Sequence, residues 1–409
     1  MSLFKERTDL NVFTIILCIL ALIFLIFTAD FHLGRKHFLK RASKKEVRRL
    51  EGVLTLFDSG PDLFESMFND IRHAKKCIHI LFYIVGTDSF SAQFTDLLRK
   101  KAKEGLEVRL LLDRLGSIGF KESTIESLKE SGVKFSFAHR PSLPYLFYSS
   151  QARNHRKITI IDSKIGYLGG YNVGLEYINK DSVLHPWRDY HLKLFGEGAI
   201  ELEHTFLDDW ERATGEKIQY HEWQPDSAAK GTQLYSLVPT EGAFLEQAYL
   251  QLIKQAKKSI IIGTPYFIPS GPLLKELGKA LQSGVALTLI VPEKADHLLV
   301  KEASFKSLRK LLSLGARVFQ YQKGFFHAKY IMIDDVLLDI GTANFDKRSL
   351  FLNFEINCYI YDPGCIRTMK GYIEEDLANS TELTVNSLAS LGFWATVKEK
   401  AAHLLSPFL

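Results

Sequence analysis

The sequence predicts an α/β protein of two similarly built halves in tandem, related by a pseudo-twofold axis and preceded by one membrane-crossing helix. Three observations predict it. An unbroken apolar run occupies residues 12–29. After residue 50, apolar strand-like runs alternate with amphipathic helical stretches, as in mixed sheets covered by helices on both faces. That alternation then occurs twice with matching landmarks, so one unit has been repeated.

The apolar run, VFTIILCILALIFLIFTA, carries no charge. At 1.5 Å per residue its helix spans roughly 27 Å, close to the hydrocarbon thickness of a bilayer. A cleaved signal peptide would have a shorter apolar region and a small-x-small cleavage site, which Phe27-Thr28-Ala29 does not supply. Within the basic linker at residues 30–50, GRKHFLKRASKKEVRR holds Arg35, Lys36, Lys40, Arg41, Lys44, Lys45, Arg48 and Arg49 around the single Glu46. Residues 1–11 offer only Lys5 and Arg7, offset by Glu6 and Asp9. The positive-inside bias therefore predicts a single pass, with everything after the helix in the cytoplasm. The basic cluster is either a solvated linker or a headgroup-level patch. The second reading attracts anionic lipid by about 1 kcal/mol per residue and suits the cluster better.

The repeat is expected to divide the rest into a first half at 51–222, a second at 223–379 and a tail at 380–409. In the first half IRHAKKCIHILFYI, LLRKKAKEGLEVRLLLD and GVKFSF follow one another; in the second, LIKQAKKSIIIGTPYFI, LGKALQSGVALTLIVP and GARVFQY. Ala74 matches Ala256, Gly105 matches Gly284, and Gly132 matches Gly315. The copies then fall out of step: the first carries PSLPYLFYSSQA where the second has QKGF. Leu143, Tyr145, Leu146, Phe147 and Tyr148 are unusual for a polar loop. They form either packing between the halves or a lid or lipid-facing entrance. In the tail, Leu391, Phe393, Trp394, Val397, Ala401, Leu404 and Leu405 lie at helical spacing. That stripe either packs on the core or dips Phe393 and Trp394 into the membrane interface.

The chemistry lies where the copies realign, at RNHRKITIIDSKIGYLGGYNVG and FFHAKYIMIDDVLLDIGTANFD. His155 pairs with His327, Lys157 with Lys329, Asp162 with Asp334, Gly169 with Gly341 and Asn172 with Asn344. His and Lys stand two apart at strand periodicity, so both project from one face. A phosphodiester repels nucleophiles by its negative charge. Two lysines and two asparagine amides converging on its oxygens would stabilise the transition state. One imidazole can then attack phosphorus while the other protonates the leaving oxygen.

The remaining composition narrows the classes. At 46% hydrophobic and 24% charged residues the chain reads as ordinary globular protein. Its 52 Lys+Arg against 47 Asp+Glu is only mildly basic, and nucleic acid is not an expected partner. Cys18, Cys77, Cys358 and Cys365 include no C-x-x-C pair, so neither a disulfide framework nor a zinc site is expected. No nucleotide loop, nucleophile elbow or His-rich metal pattern is present, and neither a cofactor nor a metal is expected.

H-x-K-x4-D followed by Gly-x-x-Asn, present twice, resembles the phospholipase D superfamily over nearly all of the chain after residue 50. More narrowly, RNHRK, GGYN, HPWRDYH, TPYFIP, FFHAK and GTANFDKRS are similar to the bacterial cardiolipin synthases of that superfamily. The resemblance implies two tandem phospholipase D-like halves whose motifs meet at their interface, in a bacterial cell-membrane enzyme. It implies transfer of a phosphatidyl group between two phosphatidylglycerols, giving cardiolipin and glycerol. The catalytic set it implies is His155, Lys157, Asp162, His327, Lys329 and Asp334. His155 would form a phosphohistidine and His327 would act as acid and then base. Lys157, Lys329, Asn172 and Asn344 would hold the phosphate, and Asp162 and Asp334 the strand ends.

Each imidazole also needs a partner on its other ring nitrogen. Glu355 in LNFEIN resembles the family's acidic orienter. In the first half that slot falls on Val183, and Asp189 in PWRDYH is the better candidate; for each acid a plain salt bridge is the alternative. Ser349 and Tyr266 are expected near the cleft. Two departures stand out: one membrane helix where many members have two, and Leu175 where an acid is common. The rival functions are a phospholipase D-type hydrolase or nuclease and an inactive membrane scaffold. Duplication with an anchor disfavours a nuclease, and two intact motifs disfavour the scaffold.

Overall fold

The computed structural model describes residues 2–181, 183–218, 231–294 and 300–389, with 398, 399 and 402. The 222/223 boundary and the tail stripe from Leu391 to Leu405 lie outside the described residues.

Helix α1 (Ser2–Leu39) runs without interruption through the apolar segment and ten residues beyond it. Among the described residues it is the one helix long and apolar enough to cross a membrane, and the protein buries none of its apolar window. The first half follows as β1 (Leu50–Phe57), α2 (Gly60–His73), β2 (Cys77–Phe82), α3 (Ser89–Lys103), β3 (Glu107–Asp113), α4 (Glu122–Glu130), β4 (Lys134–Ala138), α5 (Leu146–Gln151), β5 (Ile158–Ile161), β6 (Ile165–Gly169), β7 (His191–Gly196) and α6 (Glu197–Thr214). The second half comprises β8 (Gln233–Glu241), α7 (Leu245–Gln255), β9 (Ser259–Gly263), α8 (Gly271–Gln282), β10 (Ala286–Pro292), α9 (Val300–Ser313), β11 (Arg317–Tyr321), β12 (Tyr330–Ile333), β13 (Leu337–Gly341), α10 (Lys347–Phe351), β14 (Phe354–Ile360), α11 (Pro363–Ala378) and β15 (Ser380–Leu383).

These strands form one 15-stranded sheet in the order β15-β11-β10-β9-β12-β13-β14-β8-β1-β7-β6-β5-β2-β3-β4. Apart from the edge strand β15, each strand of the first half has its counterpart seven strands later, mirrored across the β1–β8 seam. The pseudo-twofold axis passes there. Sequence reasoning anticipated two sheets. The seam strands β1 and β8 instead join them antiparallel, with Leu50 opposite Tyr235 and Gly52 opposite Gln233.

Alternation along the strands explains the layers. Ile78, Ile80 and Phe82 of β2 face α2, α3 and α4, whereas Leu81 turns to the other side. A corresponding cluster lies under α7, α8 and α9. The third cluster spans both halves beneath α6 and α11, joining Leu202 and Phe206 to Met369 and Ile373. It holds the two motif strands in one frame. The repeat's matched glycines serve helix exits: Gly105 and Gly284 sit at φ 92° and 86°, where a side chain would be strained.

Candidate active site

The two motifs approach each other because their chain segments cross between halves just before their strands. Residues 155 and 157 precede β5, and 327 and 329 precede β12, so the strands begin slightly later than periodicity implied. His155 N donates to Phe354 O (2.9 Å), and Phe354 N donates to Arg153 O (2.8 Å). Likewise His327 N donates to Arg188 O (2.8 Å), where Phe325-Phe326 pairs in parallel with Trp187-Arg188. Each histidine is thus hooked to the residue that immediately precedes an acid of the opposite half.

Those acids hold the rings. His155 Nδ1 lies 2.9 and 3.1 Å from the two carboxylate oxygens of Glu355. His327 Nδ1 lies 2.7 Å from Asp189 Oδ2. Both acids and both histidines are buried. Fixing Nδ1 leaves Nε2 as the reactive nitrogen. Strand register identifies the acids as counterparts. Gly169 pairs with His191 and Gly341 with Asn357, which places Asp189 opposite the position of Glu355. The slot at Val183, counted by sequence distance, is instead 70% exposed. An insertion before β7 displaces the count.

Lys157 is fully buried; its Nζ donates to His155 O (2.7 Å) and lies over the Tyr83 ring at 5.3 Å. Burial lowers its pKa to about 7 against the attraction of Glu355. Lys329 Nζ donates to Asp189 Oδ2 (3.0 Å) and to His327 O. Burial also lowers the His155 pKa, with Glu355 opposing the shift. Burial pushes the Glu355 carboxyl up, but His155 and Lys157 outweigh it and the net direction is down. Asp189 behaves alike: Lys329 and His327 overcome its burial.

The remaining expected residues are placed unequally. Asn172 Oδ1 accepts from Ile84 N (3.2 Å), and its Nδ2 donates to the Tyr177 hydroxyl (3.1 Å). Asn344 N donates to Ser349 Oγ (3.1 Å). Asp162 and Asp334 do not reach the histidines. They lie beyond the far ends of β5 and β12, about 20 Å of extended chain away. There Asp162 accepts from the backbone N–H groups of Lys75, Lys76 and Cys77, and Asp334 from those of Lys257, Lys258 and Ser259. Both stand at φ near 50° in hairpin turns, a conformation Asp tolerates.

Ser349 and Tyr266 lie at the site as expected, and Thr342, Gly170, Tyr83 and Trp187, which the sequence reading did not single out, join them. Thr342 Oγ1 (2.7 Å) and Ser349 Oγ (2.8 Å) donate to the Glu355 carboxylate. At the position matching Thr342, Gly170 packs against the Asp189 carboxylate with no room for a Cβ. Tyr83 stands edge-on to His155 at 5.0 Å, Trp187 lies 4.8 Å from His327, and Tyr266 lies 6.3 Å from it. Matching positions in the two motifs signalled Thr342 and Gly170; nothing in the sequence singled out Tyr83. Elsewhere, Cys77, His79 and Glu203 come within 4.8 Å of one another. The Arg109 guanidinium, 3.1 Å from His79 Nε2, opposes a cation there.

Two imidazoles held by carboxylates, with two lysines beside them, suit phosphodiester transfer. Comparison with known proteins agrees. The family described as "Cardiolipin synthase, PLD-like domain" matches residues 67–182 and 249–377. Minor cardiolipin synthase ClsB of Bacillus subtilis is 40% identical over 400 residues, covering 98% of this chain and 100% of that protein. Cardiolipin synthase 2 of Staphylococcus epidermidis is 38% identical over 362 residues, covering 87% of this chain and 74% of its own. Among solved structures, a phosphatidylserine synthase from Haemophilus influenzae superposes with a TM-score of 0.71 at 16% identity, over 92% of this chain and 100% of that one. A polyphosphate kinase from Porphyromonas gingivalis gives 0.55 at 15%, over 85% and 53%. At those identities the likeness concerns the fold alone.

Proposed function

The chain belongs to the cardiolipin synthase family with phospholipase D-like domains, and from that premise we propose a phosphatidyltransferase that joins two phosphatidylglycerols into cardiolipin and releases glycerol. The observation that carries the reading is the exchange of acids between halves, Glu355 on His155 and Asp189 on His327.

In the first step His155 Nε2 attacks the phosphorus of one phosphatidylglycerol. The phosphorus–oxygen bond to the headgroup glycerol breaks, and His327 gives that oxygen its proton. The product is a phosphatidyl-histidine. In the second step His327 takes the proton from a headgroup hydroxyl of a second phosphatidylglycerol. That oxygen attacks phosphorus, the phosphorus–nitrogen bond breaks, and His155 is restored. Glu355 and Asp189 stabilise the imidazolium forms and keep Nε2 forward. Lys157 and Lys329 balance the charge on the phosphate oxygens. Asn172 and Asn344 fasten the surrounding loops and shape the phosphate pocket, while Asp162 and Asp334 tie strand ends and take no part in the steps.

The substrates are bilayer lipids, so the protein acts at the membrane that α1 crosses once, with both halves on the cytoplasmic side. The test is to incubate purified protein with phosphatidylglycerol vesicles and a chelator, beside His155→Ala and His327→Ala, and resolve the lipids. Cardiolipin and glycerol from the unaltered chain alone support the reading. Phosphatidic acid in place of cardiolipin would make the protein a hydrolase.

A further inference from the structure

We infer that α1 is not a loose tether but a docked strut, and that it holds the apolar loop at residues 143–147 inside the surface of the same bilayer, beside the mouth of the site. The inference rests on the membrane-spanning reading of residues 12–29.

The seat is made of backbone groups and side chains from both halves. Asp30, the first residue after the apolar run, accepts a hydrogen bond from Tyr148 N through Oδ1 at 2.8 Å. One turn on, Gly34 lies so close to α5 that a Cβ would stand 2.6 Å from Tyr148 Cβ and 2.9 Å from Tyr145 Cβ. Arg35 then reaches the second half, donating to Gly242 O (2.6 Å) and to Phe351 O. Phe38 closes the seat with its ring 6.1 Å from Phe354. Two carbonyl acceptors on one half and a backbone donor on the other fix the direction of the helix axis.

That direction sets a depth. Phe27 belongs to the apolar run, three residues before Asp30, and its ring stacks on Phe147 at 4.8 Å and 17°. Phe147 is therefore level with the last turn of the spanning segment, within about 5 Å of its end at 1.5 Å per residue. On the same short loop its chain neighbour Leu146 is 51% exposed and Leu143 is 82% exposed. Among the described residues neither is fully covered, and in the placement we infer the phase around them is lipid. Apolar side chains on an anchored scaffold are stabilised there by burial among acyl chains.

The loop is also coupled to the site. Gln151, at the end of α5, accepts from Arg348 Nη1 through Oε1 (3.1 Å), and its backbone carbonyl accepts from Nη2 (2.9 Å). The next residue, Ser349, donates to Glu355, which holds His155. The loop that bears Leu146 is thus joined, through Gln151 and Arg348, to the segment that holds Glu355 against His155.

The test uses the full-length chain in phosphatidylglycerol–phosphatidylcholine vesicles. In a Cys18→Ser background, Leu146→Cys or Phe24→Cys is labelled with an NBD fluorophore and quenched with shallow or deep doxyl lipids. The unsubstituted background protein supplies the blank. The expected result is at least twofold quenching at 146 by shallow doxyl, and at 24 by deep doxyl. Gly34→Leu or Phe147→Ser should at least halve the quenching at 146. Either should lower turnover on vesicles at least fivefold, with turnover on short-chain soluble phosphatidylglycerol kept within twofold. Quenching at 24 without quenching at 146 would overturn the inference while leaving the membrane span intact, and a blue-shifted but unquenched 146 would assign the patch to a protein partner. No quenching at either position would overturn the span itself.

Discussion

Glu355 and Asp189 are held differently although each meets the Nδ1 of a histidine. Glu355 accepts hydrogen bonds from the Thr342 and Ser349 hydroxyls, whereas Asp189 faces Gly170 and pairs with Lys329. In each case a carboxylate opposes an imidazole in a buried site. Replacing it with the isosteric amide removes the charge and keeps the shape. Glu355→Gln and Asp189→Asn should each lower turnover by about 10²- to 10⁴-fold, as expected when a histidine loses its carboxylate. Circular dichroism melts should stay within a few degrees of the parent. Unchanged turnover in either variant would reduce that acid to a structural salt bridge. The same residues shape the pH profile. In the proposed first step His155 attacks as a neutral ring, and burial lowers its pKa, so the acid limb should lie below the ordinary histidine range. Lys157, with burial lowering its pKa to about 7, carries charge below that value and loses it above. Rates on vesicles should therefore climb from acid pH and decline as pH rises through about 7. A profile flat to pH 9 with an inactive Lys157→Met would show that Lys157 keeps its charge through that range, whereas a flat profile with an active Lys157→Met would remove its charge from the steps.

The elements place these residues by register, and register is where the sequence was readable only in part. The repeat was legible because each helix exit and each apolar strand recurs, down to Gly105 and Gly284. His and Lys were legible from their spacing. The exchange of acids across the halves was not, because local pattern carries no record of which half a segment crosses to. Sequence distance alone lands on Val183, and Asp189 had to be chosen over it by residue type; the pairing of β6 with β7 gives the spatial reason. The seam strands β1 and β8 were missed, since neither belongs to the matched helix–strand series. Asp162 and Asp334 sit within the repeated motif and so travelled with the catalytic set, although they cap the starts of β2 and β9. Asp162→Ala should remove three charge-assisted acceptor contacts and cost about 1–3 kcal/mol. The expected outcome is a lower melting temperature with turnover per folded molecule held within threefold. A selective loss of turnover at unchanged stability would return Asp162 to the chemistry.

On the scale of the whole molecule, one 15-stranded sheet makes a single site from two incomplete ones. Neither half holds a histidine together with the acid that orients it. The seam between β1 and β8, and the core cluster shared beneath α6 and α11, keep the halves of one chain together. The linkage is intramolecular, so a defect in one half is not repaired by an intact half on another chain. When His155→Ala and His327→Ala proteins are reconstituted together in the same vesicles, cardiolipin formation should stay at the level of each alone. If halves exchanged between chains, up to a quarter of the sites would regain both histidines under random pairing, and activity would return in proportion. Recovery on mixing would mean that the seam opens in the membrane and that the functional unit is a swapped dimer. Its absence would fix the unit as one chain, whose two halves supply the nucleophile, the acid and each other's orienting carboxylate.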